Sequence, residues 1–205
     1  MIAPLLVGIG FWSLGVWFFT KAIKDAAPAA LGNVNIKGAM TPSGASVTPS
    51  AVDNWVNLVI DGTEYQVGSD YIAPLGIGEA VELAKANGWE LPTPRMVDAI
   101  WKAADLRLEP RPMAHDGTAK TMASNETIEA HRAKIRSQID GRDYKLLAGT
   151  HKDVVFIPEA FGKPVGKPGI YGWHKQDGTV IQQPMWGHAL AWKDYSQGLR
   201  PIRKV

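Results

Sequence analysis

The order of apolar and polar residues divides the chain into three parts, of which the first is an uninterrupted apolar stretch. Residues 2–19 contain no charged side chain, and 13 of these 18 residues are Ala, Val, Ile, Leu, Phe or Trp. A transmembrane helix needs about 20 apolar residues, with about 17 as the lower limit. Aromatic residues end the stretch, and Lys21 and Lys24 follow it, where cations contact lipid headgroups. We therefore expect residues 1–24 to form a single-pass membrane anchor.

Two other interpretations of this segment remain open. A signal peptide begins with basic residues and ends in a small-residue cleavage site. Here the basic residues follow the apolar stretch, and only the Ala and Pro residues at 26–30 resemble such a site. A core or oligomerisation helix usually has a polar stripe, which this segment lacks. The flanking lysines predict a domain in the cytoplasm or inside a membrane-bearing particle, because cations favour the inner side.

A tether and a folded domain follow the anchor. Residues 25–54 are rich in Ala, Gly, Pro, Ser and Thr, and such a segment buries too little apolar surface to offset the entropy of ordering. We expect it to be a flexible tether. Apolar and polar residues then alternate on both sides of Asp61-Gly62, which predicts a β-hairpin at the start of a domain that covers residues 55–205.

The rest of this domain shows helical periodicity first and strand patterns afterwards. Three amphipathic stretches predict helices at 77–87, 93–105 and 126–139, and the stretch 108–123 between the last two is typical of a long loop. Short runs bounded by Gly, Pro or Asp predict strands at 144–147, 154–157, 170–173, 180–182 and 199–202. Helices grouped before strands indicate an α+β fold with about three helices and a small antiparallel or mixed sheet.

Composition and charge exclude several functional classes. The chain has 22 Lys and Arg against 20 Asp and Glu, a net charge of +2, which is too small for a nucleic-acid groove. The absence of cysteine excludes a disulfide scaffold and an iron–sulfur site. It also limits any metal site to His, Asp and Glu ligands. No glycine-rich phosphate loop stands between a strand and a helix, so nucleotide chemistry has no support.

Histidines and aspartates are concentrated late in the chain and suggest a metal site first. A hydrolytic zinc site would take its ligands from His151, His174 and His188, with Asp153 as a further candidate, and keep one position for water. Their spacing matches no known zinc signature. The alternative is a chance scatter of histidines.

A second arrangement uses Ser196 as nucleophile. His151 or His174 would act as the base, and an aspartate would orient it, since the chemistry requires both. The candidates for this aspartate are Asp153, Asp177 and Asp194. The alternative interpretation is a turn serine beside Asp194.

Aromatic residues in the same region suggest a binding surface for sugar rings. The candidates are Tyr171, Trp173, Trp186 and Trp192, with Tyr195 beside them. Packing in the core and across strands is the alternative role for these rings. The other two histidines, His115 in a proline-rich loop and His131 on a predicted helix, are expected at the surface.

Three motifs resemble those of an uncharacterised family of secreted bacterial and phage-associated proteins. They are Tyr-Gly-Trp-His at 171–174, Asp-Gly-Thr-Val-Ile-Gln at 177–182 and Asp-Tyr-Ser-Gln-Gly-Leu-Arg at 194–200, against Y-G-W-H, G-x-x-I-Q-P and D-Y-S-H-G-x-R in the family. The similarity covers most of residues 70–202. This chain has Gln197 where the family often has His, which would remove one ligand from a metal site. The resemblance implies a function at a cell envelope.

These patterns lead to two hypotheses. In the first, the chain is a membrane-anchored, phage-encoded protein of a virion membrane or bacterial envelope. Its domain hydrolyses or binds peptidoglycan, as a metal-dependent or Ser/His-dependent peptidase or amidase. The expected polar cluster comprises His151, Asp153, His174, Asp194 and Ser196. In the second hypothesis, the chain is a non-catalytic structural protein that contacts the lipid bilayer and other virion or envelope proteins.

Overall fold

Four helices and nine strands make up residues 54–205, the part of the chain that this computed structural model describes. In chain order they are β1 (Trp55–Ile60), β2 (Thr63–Gly68), α1 (Ile77–Ala86), α2 (Pro94–Ala103), β3 (Leu106–Arg107), α3 (Ala119–Met122), α4 (Asn125–Ile139), β4 (Leu147–Ala148), β5 (Lys152–Ala160), β6 (Lys163–His174), β7 (Val180–Met185), β8 (Gln197–Gly198) and β9 (Ile202–Lys204). The predicted α+β class is confirmed for this part. The predicted anchor (1–24) and nearly all of the predicted tether (25–54) lie outside it. Within it, no helix has the length and apolar character needed to span a bilayer.

The first two strands form the hairpin that the alternating pattern predicts. β1 and β2 pair antiparallel, with Ile60 opposite Thr63. The turn residues Asp61 and Gly62 have φ values of 50° and 77°. A left-handed conformation at both positions matches the twist of the strands, and Asp and Gly tolerate it well. β9 pairs antiparallel with β2 and completes a three-stranded sheet.

Helix α2 lies between two sheets and packs against both. The Thr93 hydroxyl accepts a hydrogen bond from the Met96 N–H at 3.3 Å, and Pro94 occupies the first turn, so the predicted cap is confirmed. Met96 and Ile100 pack into the apolar cluster of the three-stranded sheet, whereas Val97 packs against a four-stranded sheet. The apolar residues of one helix therefore hold the two sheets together.

The four-stranded sheet has the order β7-β6-β5-β8 and is mixed. β5 pairs antiparallel with β6 and parallel with β8. Val154 packs into the cluster that contains α1, and Val155 packs into the cluster that contains α2. Because side chains alternate along a strand, Lys152 and Asp153 point to opposite faces. The sheet thus separates two groups of polar side chains.

Residues 199–202 cross from one sheet to the other and do not form the single strand predicted for them. β8 pairs with β5, whereas β9 pairs with β2. Arg200 is fully buried at the crossing, where its guanidinium donates to the carbonyls of Gly68 and Leu147 at 2.8 and 2.5 Å. Pro201 follows it, and a residue without an N–H cannot continue a hydrogen-bonded ladder.

Three short elements differ from the sequence-based predictions. The strand predicted at 144–147 is wrong except at its last residue, because β4 covers only Leu147–Ala148. β4 pairs in parallel with the two-residue strand β3, and both are too short to detect from periodicity. Helix α3 is a single turn inside the stretch 108–123 that was expected to be a loop. Its cap is Thr118, whose hydroxyl accepts a hydrogen bond from the Thr121 N–H at 3.3 Å.

Helix α4 begins at a serine cap that permits a first prediction. The Ser124 hydroxyl accepts a hydrogen bond from the Thr127 N–H at 3.2 Å. Ser124→Ala is therefore expected to lower the free energy of unfolding by about 1 kcal/mol in urea titrations of the full chain. Ser137→Ala, at an exposed position of the same helix, is the control and should change it by only a few tenths. An equal decrease in the free energy of unfolding in both variants would show that the Ser124 cap does not stabilise the helix.

Candidate active site

Asp98, Tyr171 and His174 form a hydrogen-bonded group where α2 contacts β6. The Nε2 atom of His174 lies 2.8 Å from Asp98 Oδ1, and the Tyr171 hydroxyl donates to the same oxygen at 2.9 Å. Trp101 stacks on the His174 ring, with 5.3 Å between the ring centroids. The side chain of Asp98 is 39% exposed, whereas that of His174 is 5% exposed. A carboxylate thus links a buried imidazole to solvent.

An irregularity in β6 brings the two ring side chains to the same carboxylate. Tyr171 and His174 are three residues apart, and in a regular strand they would point to opposite faces. The pairing of β6 with β7 shifts register between Ile170 and Gly172, and Trp173 has a φ of 60°. A left-handed conformation is strained for a bulky residue. It reorients the end of the strand so that both rings reach Asp98.

Asp153 is a buried carboxyl beside this group. It lies opposite Tyr171 in the β5–β6 pair, is 2% exposed, and accepts a hydrogen bond from the Tyr71 hydroxyl at 3.0 Å. The guanidinium of Arg200 lies over the Tyr71 ring, 3.8 Å from its centroid. Burial raises the pKa of Asp153 to about 7, although the charge of Arg200 and the hydrogen bond from Tyr71 oppose this. Asp153 can therefore hold a proton near neutral pH.

The pKa of Asp98 moves in the opposite direction. Burial opposes its ionisation, but the hydrogen bonds from His174 and Tyr171 more than offset burial and lower the pKa below its ordinary value. Burial and hydrogen bonding therefore shift the pKa values of these two carboxyl groups in opposite directions. Divergent pKa values in a group of this kind are typical of acid–base catalysis.

Gly172 lies between Asp153 and His174 in a tightly packed part of the domain. Its φ is 99°, which side chains rarely adopt. A Cβ atom on this residue would lie 3.5 Å from Asp153 Oδ2 and 3.7 Å from His174 Cε1. It would also lie 3.1 Å from a methyl group of Val97. Both polar groups therefore border the same glycine, at a point where the packing of Val97 leaves no room for a side chain.

A second polar group lies on the other face of the sheet. The Nζ atom of Lys152 is 2.8 Å from Asp194 Oδ2 and 5.7 Å from the centroid of the Trp173 ring. Ser196 is fully buried, and its hydroxyl and N–H both donate to Asp194 Oδ1 at 2.7 Å. The single hydroxyl proton is thus engaged by a carboxylate and not by a histidine. These hydrogen bonds are those of a turn serine, the alternative to the nucleophile.

His131 and His151 lie next to this second group, with 5.3 Å between their ring centroids. His131 is 1% exposed, so the expectation that it lies at the surface is wrong: it faces inward from α4 against Trp173 and Tyr195. His115 is exposed, as expected. Burial is the main cause that lowers the pKa of His131, to about 4, and it also lowers that of His151. Both buried imidazoles are therefore neutral at pH 7.

The predicted zinc ligands have different neighbours. His151 lies against Tyr71, His174 stacks on Trp101, and His188 stacks on Trp192. Within residues 54–205, no three histidine, aspartate or glutamate side chains are grouped as ligands for a metal ion. The zinc site stays a prediction.

The predicted sugar-binding aromatics differ in exposure. Tyr171 and Trp173 are buried, at 8% and 4% exposure, and belong to apolar clusters, which is the packing alternative. Trp186 and Trp192 are half-buried. Trp186 packs against the same cluster as Tyr171. Its ring lies 6.1 Å from that of Phe161, in the turn between β5 and β6.

Asp98 is the central residue that pattern analysis missed. It follows the apolar Met96 and Val97 in α2, and on a helical projection it borders the apolar stripe next to Trp101. An acidic residue at the edge of an otherwise apolar helix face is the signal that could have identified it. Tyr71 gave no such signal, because it stands in an irregular segment before α1.

Comparisons with protein-family models, with curated proteins and with solved structures find no match for this chain. The functional assignment therefore depends on the geometry of the chain's own residues. The resemblance of residues 171–174 and 194–200 to a family of envelope-associated proteins stays a prediction.

Proposed function

We propose that the domain is a hydrolase that cleaves an amide bond of peptidoglycan by acid–base catalysis at a bacterial or virion envelope. One observation supports this above all others. Asp98, with a lowered pKa, hydrogen-bonds His174, while Asp153, with a pKa raised to about 7, borders Gly172 together with His174. An enzyme that adds water across an amide needs both a base for the water and an acid for the leaving nitrogen.

The proposal gives each group a role that is compatible with its hydrogen bonds. An ionised Asp98 only accepts, so the Nε2 atom of His174 donates to it and the Nδ1 atom is the free base. His174 takes a proton from water as the water oxygen attacks the amide carbon. Asp153 gives its proton to the nitrogen as the carbon–nitrogen bond breaks. Transfer of the proton from His174 to Asp153 through solvent then restores the starting state.

Peptidoglycan is proposed as the substrate on the following grounds. The motifs at 171–174 and 194–200 resemble those of envelope-associated proteins, and residues 1–24 are predicted to hold the chain at a membrane. The peptide stems of peptidoglycan contain the amide bonds that this chemistry cleaves.

Digestion of purified sacculi tests this function. The full chain in detergent should release soluble peptides or new amino groups from sacculi, and His174→Gln should abolish the release. Asp177→Asn is the matched control, because Asp177 is exposed, lies three residues away and hydrogen-bonds Thr179 within its own turn. This variant should retain full activity on sacculi. A loss of activity in it would favour Asp177 as the residue that orients the base.

Two further outcomes of this assay discriminate the other hypotheses. Loss of the wild-type activity on addition of a chelator would indicate the metal-dependent enzyme. A folded wild-type chain that leaves sacculi intact under all conditions would contradict the proposal. That result would favour the non-catalytic structural protein of a virion or cell envelope.

A further inference from the structure

Two hairpins of this domain have the same turn geometry but different turn residues. Asp61-Gly62 joins β1 to β2 with φ values of 50° and 77°, and Phe161-Gly162 joins β5 to β6 with φ values of 52° and 74°. Turns with two left-handed residues favour Asn or Asp followed by Gly. Phenylalanine lacks the short polar side chain that makes this conformation acceptable. Phe161 is thus held in a conformation that its side chain disfavours.

The same residue exposes a large apolar surface at the end of the hairpin. Phe161 is 74% exposed, and its ring lies 6.1 Å from that of Trp186. A Cβ atom added at Gly162 or Gly166 would meet no other atom within 4 Å, so this end of the hairpin projects into open space. The exposed apolar ring and the disfavoured backbone conformation each lower the stability of the domain. A residue with both features is expected to contact a partner outside the domain.

The charges around the tip favour an anionic partner. Lys163 and Lys167 are exposed on β6, and Glu159 is the exposed acid on β5 near the turn. The tip therefore presents an aromatic ring flanked by an excess of cations. This combination is typical of protein segments that enter the headgroup region of a membrane, where rings lie between the headgroups and lysines reach the phosphates.

We propose that the tip of the β5–β6 hairpin, residues 159–167, docks on the surface of an anionic lipid bilayer. Phe161 enters the interface, and Lys163 and Lys167 contact lipid phosphates. The predicted anchor at 1–24 would place a bilayer within reach of the domain. Sugar recognition, by contrast, needs polar groups that converge beside the ring, and the flanking residues Ala160 and Gly162 supply none. This docking is independent of the proposed catalysis.

A site-specific fluorophore tests the docking in the full chain. Because the chain has no cysteine, Glu159→Cys gives one attachment point beside the tip for an environment-sensitive dye. Glu64→Cys, an exposed glutamate at the equivalent end of the β1–β2 hairpin, is the matched control. In vesicles that contain phosphatidylglycerol, the emission of the dye at 159 should shift to shorter wavelength. The emission of the dye at 64 should stay at the wavelength of a dye in water.

The turn variant supplies a second measurement. Phe161→Asn fits the left-handed turn better than Phe does, so it should unfold at the same or a higher temperature while the emission shift at position 159 disappears. Vesicles of phosphatidylcholine alone should give a smaller shift. An unchanged emission in anionic vesicles would overturn the proposal. A shift that requires sacculi in place of lipid would overturn it in favour of a cell-wall contact.

Discussion

Replacing Asp153 by asparagine is expected to stabilise the chain increasingly as pH rises from about 4 to about 7. The pKa of this carboxyl is raised from 3.8 to about 7 in the folded domain, mainly by burial. Between these two values the folded state holds a proton that the unfolded state has lost, so wild-type stability falls as pH rises. Asparagine keeps the size of the side chain and an acceptor for the Tyr71 hydroxyl but has no proton to lose.

The size of this effect follows from the shift. Each unit of pKa shift corresponds to about 1.4 kcal/mol. The stability that Asp153→Asn gains over the wild-type chain should therefore be larger at pH 8 than at pH 3 by about 4 kcal/mol at most. Tyr71, Arg200, His174 and Asp98 affect the pKa of Asp153, and Tyr171 lies opposite it on β6. Arg200 keeps its two carbonyl contacts in the variant. The gain should therefore reflect the carboxyl and not a rearrangement of the arginine.

Urea unfolding of the full chain in detergent at pH 3 and pH 8, followed by tryptophan fluorescence, measures this gain. The exposed Asp177→Asn variant is the control and should show no rise at pH 8. If Asp153→Asn loses stability at pH 8, its carboxylate is a structural partner of Arg200 and the proposed acid is wrong. A gain in stability together with a loss of activity on sacculi would identify Asp153 as a group maintained for function at a cost to the fold.

Local patterns predicted the longer elements of the described fold. The hairpin at Asp61-Gly62, the cap at Thr93 and the apolar stripes of the helices depend on neighbours within a few residues, and all are confirmed. The crossing at 199–202 was missed because it depends on which distant strands pair with each end. Arg200 bonds to carbonyls more than 50 residues away, and no local pattern contains that information.

The candidate site was predicted only in part, for the same reason. His174 and Asp153 were identified by residue type, but their partner Asp98 lies on a helix more than 50 residues earlier. Ser196 and His151 were grouped with them because they are near in sequence. The alternation of β5 instead puts Lys152, which binds Asp194, and Asp153 on opposite faces. Neighbouring residues of β5 therefore belong to two separate polar groups, which their proximity in the sequence had suggested were one.

Asp98→Asn is expected to lower turnover on sacculi about 10³-fold while leaving KM nearly unchanged. The carboxylate acts only through His174, so this is a positioning role. An asparagine can donate as well as accept, and a donor facing Nε2 moves the imidazole proton to Nδ1, where the base is needed. Tyr171→Phe is the matched control, because it removes the other hydrogen bond to Asp98 but keeps the charge. It should cost about tenfold or less.

Two measurements separate this role from a merely structural one. Nitrogen-15 chemical shifts of the His174 ring should show a proton on Nε2 in the wild-type chain and partly on Nδ1 in Asp98→Asn. Asp98→Glu should restore part of the turnover, because a carboxylate accepts and never donates when ionised. If Asp98→Asn keeps wild-type turnover with the ring proton displaced, His174 is not the base. If turnover falls with the proton still on Nε2, Asp98 acts through its charge and not through the tautomer.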